Sequence, residues 1–100
     1  MKSILITGGA GRIGLSLAIQ LVNNKENVLI GDLNKKKLNK IKKTINSKHL
    51  EVFSGDLTKI RNIDKLIKFG ISKFGLINSA VHCLYPCLLY TSDAADDDHC

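Results

Sequence analysis

Residues 2–14 read KSILITGGAGRIG, and the fold depends on how this apolar run and these glycines divide. Ser3–Thr7 is apolar without alternation, the pattern of a short strand buried on both faces in a parallel sheet. From Arg12 the spacing becomes helical, with Ile13, Leu17 and Leu21 on one face, and it stops at Asn23 and Asn24. Between strand and helix stands TGGAGRIG, residues 7–14. Glycines there permit a tight turn and a close approach of backbone to a pyrophosphate. The free N–H groups and dipole of the following helix would then stabilise the phosphate charge.

The same alternation continues outward. Val28, Leu29 and Ile30 form a second buried strand, closed by Gly31 and Asp32. Asn34 is placed to cap a helix with Leu38, Ile41 and Ile45 inside and lysines outside. Residues 50–53 read as a third strand. Thr58 is expected to cap a helix carrying Ile60, Ile63, Ile67 and Ile71 at spacings of three and four, and residues 76–81 are the fourth strand. Strands alternating with helices across short loops predict βαβ units. The fold class is therefore α/β with a parallel sheet, and the expected arrangement is a partial doubly wound sheet with strand order 3-2-1-4. Asp32 falls at the end of the second strand, about 20 residues beyond the glycines, where an acid accepts hydrogen bonds from ribose hydroxyls. Turn and strand end together point to a bound dinucleotide.

One hundred residues hold at most one domain, and no apolar run is long enough to span a bilayer. The run after Met1 breaks at Gly8, too early for a signal peptide, so a cytoplasmic protein is expected. The net charge of +6 hides an asymmetry: all 15 Lys and Arg precede position 74, while four of the nine acids occupy the last eight positions. Lysines 35, 36, 37, 40, 42 and 43 sit at helix-surface spacing without interleaved aromatics. That is a solvated helix face, so no nucleic-acid partner is expected. Cys83, Cys87 and Cys100, with His82 and His99 beside two of them, lack the paired spacing of a structural zinc site, and no metal is expected.

On these motifs the first 86 residues resemble the short-chain dehydrogenase/reductase family, covering roughly the first third of such an enzyme. The resemblance extends to Gly55-Asp56-Leu57-Thr58, similar to the family's segment after its third strand, to Phe74-Gly75, and to the strand INSAV. It implies an NAD(P)-dependent oxidoreductase acting on a small-molecule alcohol or ketone by hydride transfer. In that scheme Gly8, Gly11, Arg12, Ile13 and Gly14 would hold the pyrophosphate side, Asp32 the ribose, and Asp56 with Leu57 the adenine. NAD is favoured over NADP because Asp32 would repel a 2′-phosphate, although Arg12, Lys35, Lys36 and Lys37 pull the other way.

Two departures matter. The single-domain branch of the family has TGxxxGxG, with glycine where Arg12 stands. The spacing here resembles the extended branch of nucleotide-sugar epimerases and dehydratases, which keeps that activity as an alternative, beside a non-catalytic dinucleotide sensor. The family's Asn-Asn-Ala-Gly slot falls on His82-Cys83-Leu84-Tyr85, with no match, so the role of its asparagine is not carried over. His82 and Cys83 remain open between a place near the nicotinamide ribose and plain strand-end residues. The piece AVHCLYP resembles a subgroup associated with flagellin and surface-sugar modification, which adds a sugar derivative to the candidate substrates.

The family's chemistry also requires a Tyr followed four residues later by a Lys. Tyr85 is followed there by Leu89 and Tyr90 by Ala94, so no catalytic residue is assigned. Residues 87–97, CLLYTSDAADD, resemble the in-frame translation of a transposon-end adaptor used in sequencing libraries. The expected organisation is the N-terminal part of a dinucleotide-binding domain at 1–86 and a non-native tail at 87–100. The parent protein is expected to be longer, with a homo-oligomer left open.

Overall fold

The structure, a computed structural model, describes residues 2–8 and 10–83. β1 (Ser3–Thr7) is central because its apolar residues are unbroken: Ile4 and Ile6 point to one face and Leu5 to the other, all buried. β2 (Asn27–Asp32) pairs with it in parallel, Ile6 opposite Ile30. β3 (Leu50–Ser54) pairs beyond β2, and β4 (Ser79–His82) flanks β1 on the other side, Ile6 opposite Val81. The sheet order is β3-β2-β1-β4, the order expected.

Two apolar layers sandwich this sheet. On one face Ile4, Ile6, Val28, Ile30 and Leu50 pack against α1 (Arg12–Asn23) through Ala18, and against α2 (Lys35–Ile45) through Leu38 and Ile41. On the other, Leu5 and Leu29 meet Leu66 of α3 (Ile60–Phe74) together with Leu57. The reversal of strand order after β3 sends α3 across to this second face, as right-handed crossovers require. Helix ends follow local chemistry. The Asn34 side chain accepts from Lys37 N at 3.0 Å, capping α2. Gly75 ends α3 at φ 86°, where a side chain would be strained, and donates its N–H to Ile71 O at 2.7 Å.

Several expected faces are corrected. Ile13 is 69% exposed, because Gly14 and Ala18 turn inward and rotate the α1 contact away from it. Thr58 does not cap α3; Lys59 holds that position, and Thr58 instead donates its N–H and hydroxyl to the Asp56 carboxylate. Ile60, Ile63, Ile67 and Ile71 are exposed rather than inward-facing, while Leu66 and Gly70 are the buried pair. The reason is a close approach: a Cβ on Gly70 would lie 2.8 Å from both Ile77 Cδ1 and Leu29 Cδ2, so the glycine marks the contact and the isoleucines form its flank. Phe69, on the opposite flank, packs against Phe53 of β3 with the rings tilted by 51° and centroids 5.7 Å apart. β4 begins at Ser79, later than expected, and its residues are exposed.

A polar chain ties the amino ends of the strands. Asn78 Oδ1 accepts from Ser3 N at 2.8 Å, and Asn27 bridges Ser3 Oγ at 3.3 Å and His49 Nδ1 at 3.0 Å. These bonds fix the register of β1, β2 and β4 at the end remote from the glycine turn.

Candidate functional site

At the carboxyl ends of the strands a cleft of about 440 Å³ opens, lined by Gly8, Ala10, Gly11, Asp32, Leu33, Asn34, Lys37 and Cys83. Its volume lies within the range of small-molecule clefts. It sits beside β1, where the strand order runs to β2 on one side and β4 on the other. Chain connections diverge at such a point and leave a crevice in an open parallel sheet.

The turn out of β1 is shaped by its neighbour. Gly8 adopts φ 73° and donates its N–H to Gly31 O of β2 at 2.7 Å. Only a residue without Cβ takes that left-handed conformation without strain. Gly11 then occupies the N-cap of α1 with no side-chain cap, and the first turn of α1 holds no acidic residue. The helix therefore presents free N–H groups and an uncompensated positive dipole end toward the cleft, the arrangement a phosphate requires. A Cβ at Gly11 would meet nothing closer than Gly8 O at 3.8 Å, so internal packing leaves that position open on the ligand side.

Asp32 is the carboxylate of the cleft. Its Oδ2 accepts from Ala10 N at 3.1 Å and its Oδ1 from Asn34 N at 3.1 Å, so one side chain spans the glycine turn and the entry to α2. Lys37, in the first turn of α2, is the cation lining the cleft. Cys83 closes the far wall: its N–H donates to Thr7 O at 2.8 Å and its side chain packs against the α1/α2-side core. Thr7 Oγ1 and His82 Nδ1, opposite each other in the β1–β4 register, are hydrogen-bonded at the strand ends.

Of the residues expected to bind a dinucleotide, Gly8, Gly11 and Asp32 are brought together around the cleft. Arg12 and Ile13 are exposed in the first turn of α1 but do not line it, and Gly14 is buried. Asp56 and Leu57 also lie outside its lining. Leu57 is buried in the α3-side core, and the Asp56 carboxylate is held below its ordinary value of 3.8 by the Thr58 hydroxyl, then by the Thr58 N–H, with Lys59 adding to both and burial opposing them. Lys37, one of the cations weighed from sequence as a 2′-phosphate partner, lines the cleft, whereas Lys35 and Lys36 do not; Ala10, Leu33 and Asn34 were not singled out by sequence as site residues. Their one available signal is adjacency, since the helix that follows Asp32 starts at the same sheet edge. Among the described residues no group of three or more His, Cys, Asp or Glu could hold a metal ion, and no helix is long and apolar enough to cross a membrane. Tyr85, Tyr90, Cys87, His99, Cys100 and the whole 87–100 segment lie outside the described residues.

A cleft of this composition can seat a phosphate on the turn and a ribose on Asp32. The family model for short chain dehydrogenase matches residues 2–84. A diacetyl reductase, (S)-acetoin forming, from Staphylococcus epidermidis is 29% identical over 83 residues, covering 81% of this chain and 32% of that protein. A short chain dehydrogenase from Bacillus anthracis superposes with a TM-score of 0.76 at 26% identity, over 81% of this chain and 34% of that one. A 3-ketoacyl-(acyl-carrier-protein) reductase from Brucella melitensis, solved with NADH, gives 0.75 at 24% identity, over 79% of this chain and 32% of that one. The chain thus spans about a third of the length of the diacetyl reductase it matches.

Proposed function

The chain belongs to the short-chain dehydrogenase family, and from that premise we propose that it forms the dinucleotide-binding part of an NAD(P)-dependent oxidoreductase acting on a small alcohol or ketone. The observation that carries this reading is the joint placement of Gly8, Gly11 and Asp32 on one cleft at the strand-order switch point. Uncapped N–H groups of α1 would take the pyrophosphate, and Asp32 would take the ribose hydroxyls. The cofactor supplies hydride chemistry when bound; the residues described here bind and orient it.

NAD is the favoured cofactor. Asp32 lines the cleft, and its negative charge would favour a free 2′-hydroxyl over a 2′-phosphate. Lys37 lines the same cleft and works against that preference, whereas Arg12 does not line it. Titration calorimetry of the chain with NAD and with NADP tests both points. Tighter NAD binding supports the reading, tighter NADP binding reverses the preference, and binding of neither refutes the site.

The boundary near residue 86 is part of the same proposal. It rests on the adaptor-like string at 87–97 and on the shift from basic to acidic composition. Amplifying the locus from source DNA should show a different sequence after Pro86; recovering CLLYTSDAADD there would contradict it. The substrate class, a cytoplasmic location, a homo-oligomeric parent and the absence of a nucleic-acid partner stand as parts of this proposal drawn from residue pattern and family.

A further inference from the structure

The geometry points to a second task for Asp32, as a positioning residue that braces the phosphate-binding turn as well as receiving the ribose. This rests on the dinucleotide reading of the cleft. An ionised carboxylate has about four acceptor sites, so backbone partners can be held without giving up the ribose. Here Oδ2 is bonded to Ala10 N, inside the turn, and Oδ1 to Asn34 N, at the cap of α2. Asn34 in turn accepts from Lys37 N, so the brace runs from the turn through Asp32 into the first turn of a helix. The backbone of the same strand end holds the turn and the neighbouring loop: Gly31 O accepts from Gly8 N at 2.7 Å, and Asp32 O accepts from Gly55 N at 3.0 Å. Ala10 N is thereby pinned through a side chain that belongs to another strand. Hydrogen bonds to an ionised acceptor are the strong ones, so this contact is suited to hold a glycine-rich segment whose own conformational freedom is large.

The two roles predict opposite signs for a ligand that has phosphate but no ribose. If Asp32 serves ribose alone, replacing it with alanine removes a negative charge near the turn and leaves inorganic pyrophosphate bound equally or more tightly. If Asp32 braces the turn, the same change weakens pyrophosphate, because the turn must then be ordered by the ligand. The loss expected for one net hydrogen bond is about fivefold in affinity.

The test uses the full chain, as wild type, Asp32→Ala and Asp32→Asn, with inorganic pyrophosphate followed by amide chemical shifts and with exchange of the Ala10 amide hydrogen. Asp32→Ala should speed Ala10 exchange and weaken pyrophosphate about fivefold, while exchange at Ile30 in the sheet stays slow. Asp32→Asn keeps one acceptor oxygen and should recover part of the affinity; it also serves if the alanine variant folds poorly. Unchanged Ala10 exchange with unchanged or tighter pyrophosphate binding would overturn the brace. If the wild type binds neither NAD nor pyrophosphate, the dinucleotide reading fails, and Ala10 exchange alone then decides whether the brace exists.

Discussion

Replacing Gly31 with alanine should loosen the strand end that carries the site, and the structure sets the size of the effect. A Cβ at Gly31 would lie 2.9 Å from Leu66 Cδ2, 3.1 Å from Leu66 Cδ1 and 3.3 Å from Leu57 Cδ1. Leu66 is fully buried and shares its core with Leu5, Leu29 and Leu57, so its two methyls cannot both swing clear. Overpacking of this kind costs about 1–3 kcal/mol. Gly31 is not at positive φ, so alanine recovers about 0.4–1 kcal/mol through the unfolded chain. The net loss should be about 0.5–2 kcal/mol. Leu66→Ala alone should cost about 2–5 kcal/mol by leaving a cavity. In the double variant the new methyl enters that cavity, so the combined loss falls short of the sum by about 1–2 kcal/mol. Urea unfolding followed by circular dichroism measures all four corners of the cycle. A neutral Gly31→Ala, or strictly additive losses, would refute the packing argument. Because Gly31 O holds Gly8 N and Gly31 precedes Asp32, the single variant should also weaken NAD binding.

Ile67→Glu, on the exposed flank of α3, should change stability by about 1 kcal/mol or less, since the side chain is already 39% exposed; a loss above 2 kcal/mol by thermal unfolding would return that stripe to the core. Combined with Val81→Lys on the exposed strand β4, it should shift gel-filtration elution toward monomer, because among the described residues an apolar flank and a sheet edge are uncovered and both favour association. Asn34→Ala should destabilise by about 0.5–2 kcal/mol through loss of the α2 cap, and no change in the melting temperature would contradict the cap. For Asp56 the folded value lies below the ordinary 3.8, so its hydrogen bonds with Thr58 stabilise the folded state above that pH. The contribution is lost as pH falls through the folded value. Thr58→Ala should raise the Asp56 midpoint toward 3.8 in a carboxyl-carbon NMR titration, whereas an unmoved midpoint would place the cause elsewhere.

The two inner strands were legible because Ile4–Ile6 and Val28–Ile30 are unbroken apolar runs, and the helices between strands start or end at residues of recognisable chemistry, such as Asn34 or Gly75. The inner face of α3 was not. Four isoleucines outweigh one leucine and one glycine in any count of apolar spacing, yet glycine permits the closer helix-to-sheet approach and so decides which face turns inward. The same holds for α1, where Gly14 and Ala18 displace Ile13 from the contact. At the site, Gly8, Gly11 and Asp32 could be read because turn geometry and ribose binding demand particular residue types. Lys37 and Cys83 were named only among alternatives, since a helix-surface lysine and a strand-end cysteine look alike in sequence whether or not they face a cleft, and Ala10 and Leu33 carried no signal beyond adjacency. The hydrogen bond from Ala10 to Asp32 joins residues 22 apart, and only the parallel pairing of β1 with β2 brings them together.

A dinucleotide bound at the carboxyl end of this sheet would perturb the backbone amides that line it. Amide chemical-shift mapping of the chain during an NAD titration tests for such binding most directly. Saturable shifts are expected at Gly8, Ala10, Gly11, Asp32, Asn34 and Cys83, with little change at the amino end of the sheet. There a second cleft is lined by Asn27, Lys48, His49 and Lys73 among others. Shifts concentrated at that opposite end, or none at either, would contradict the account.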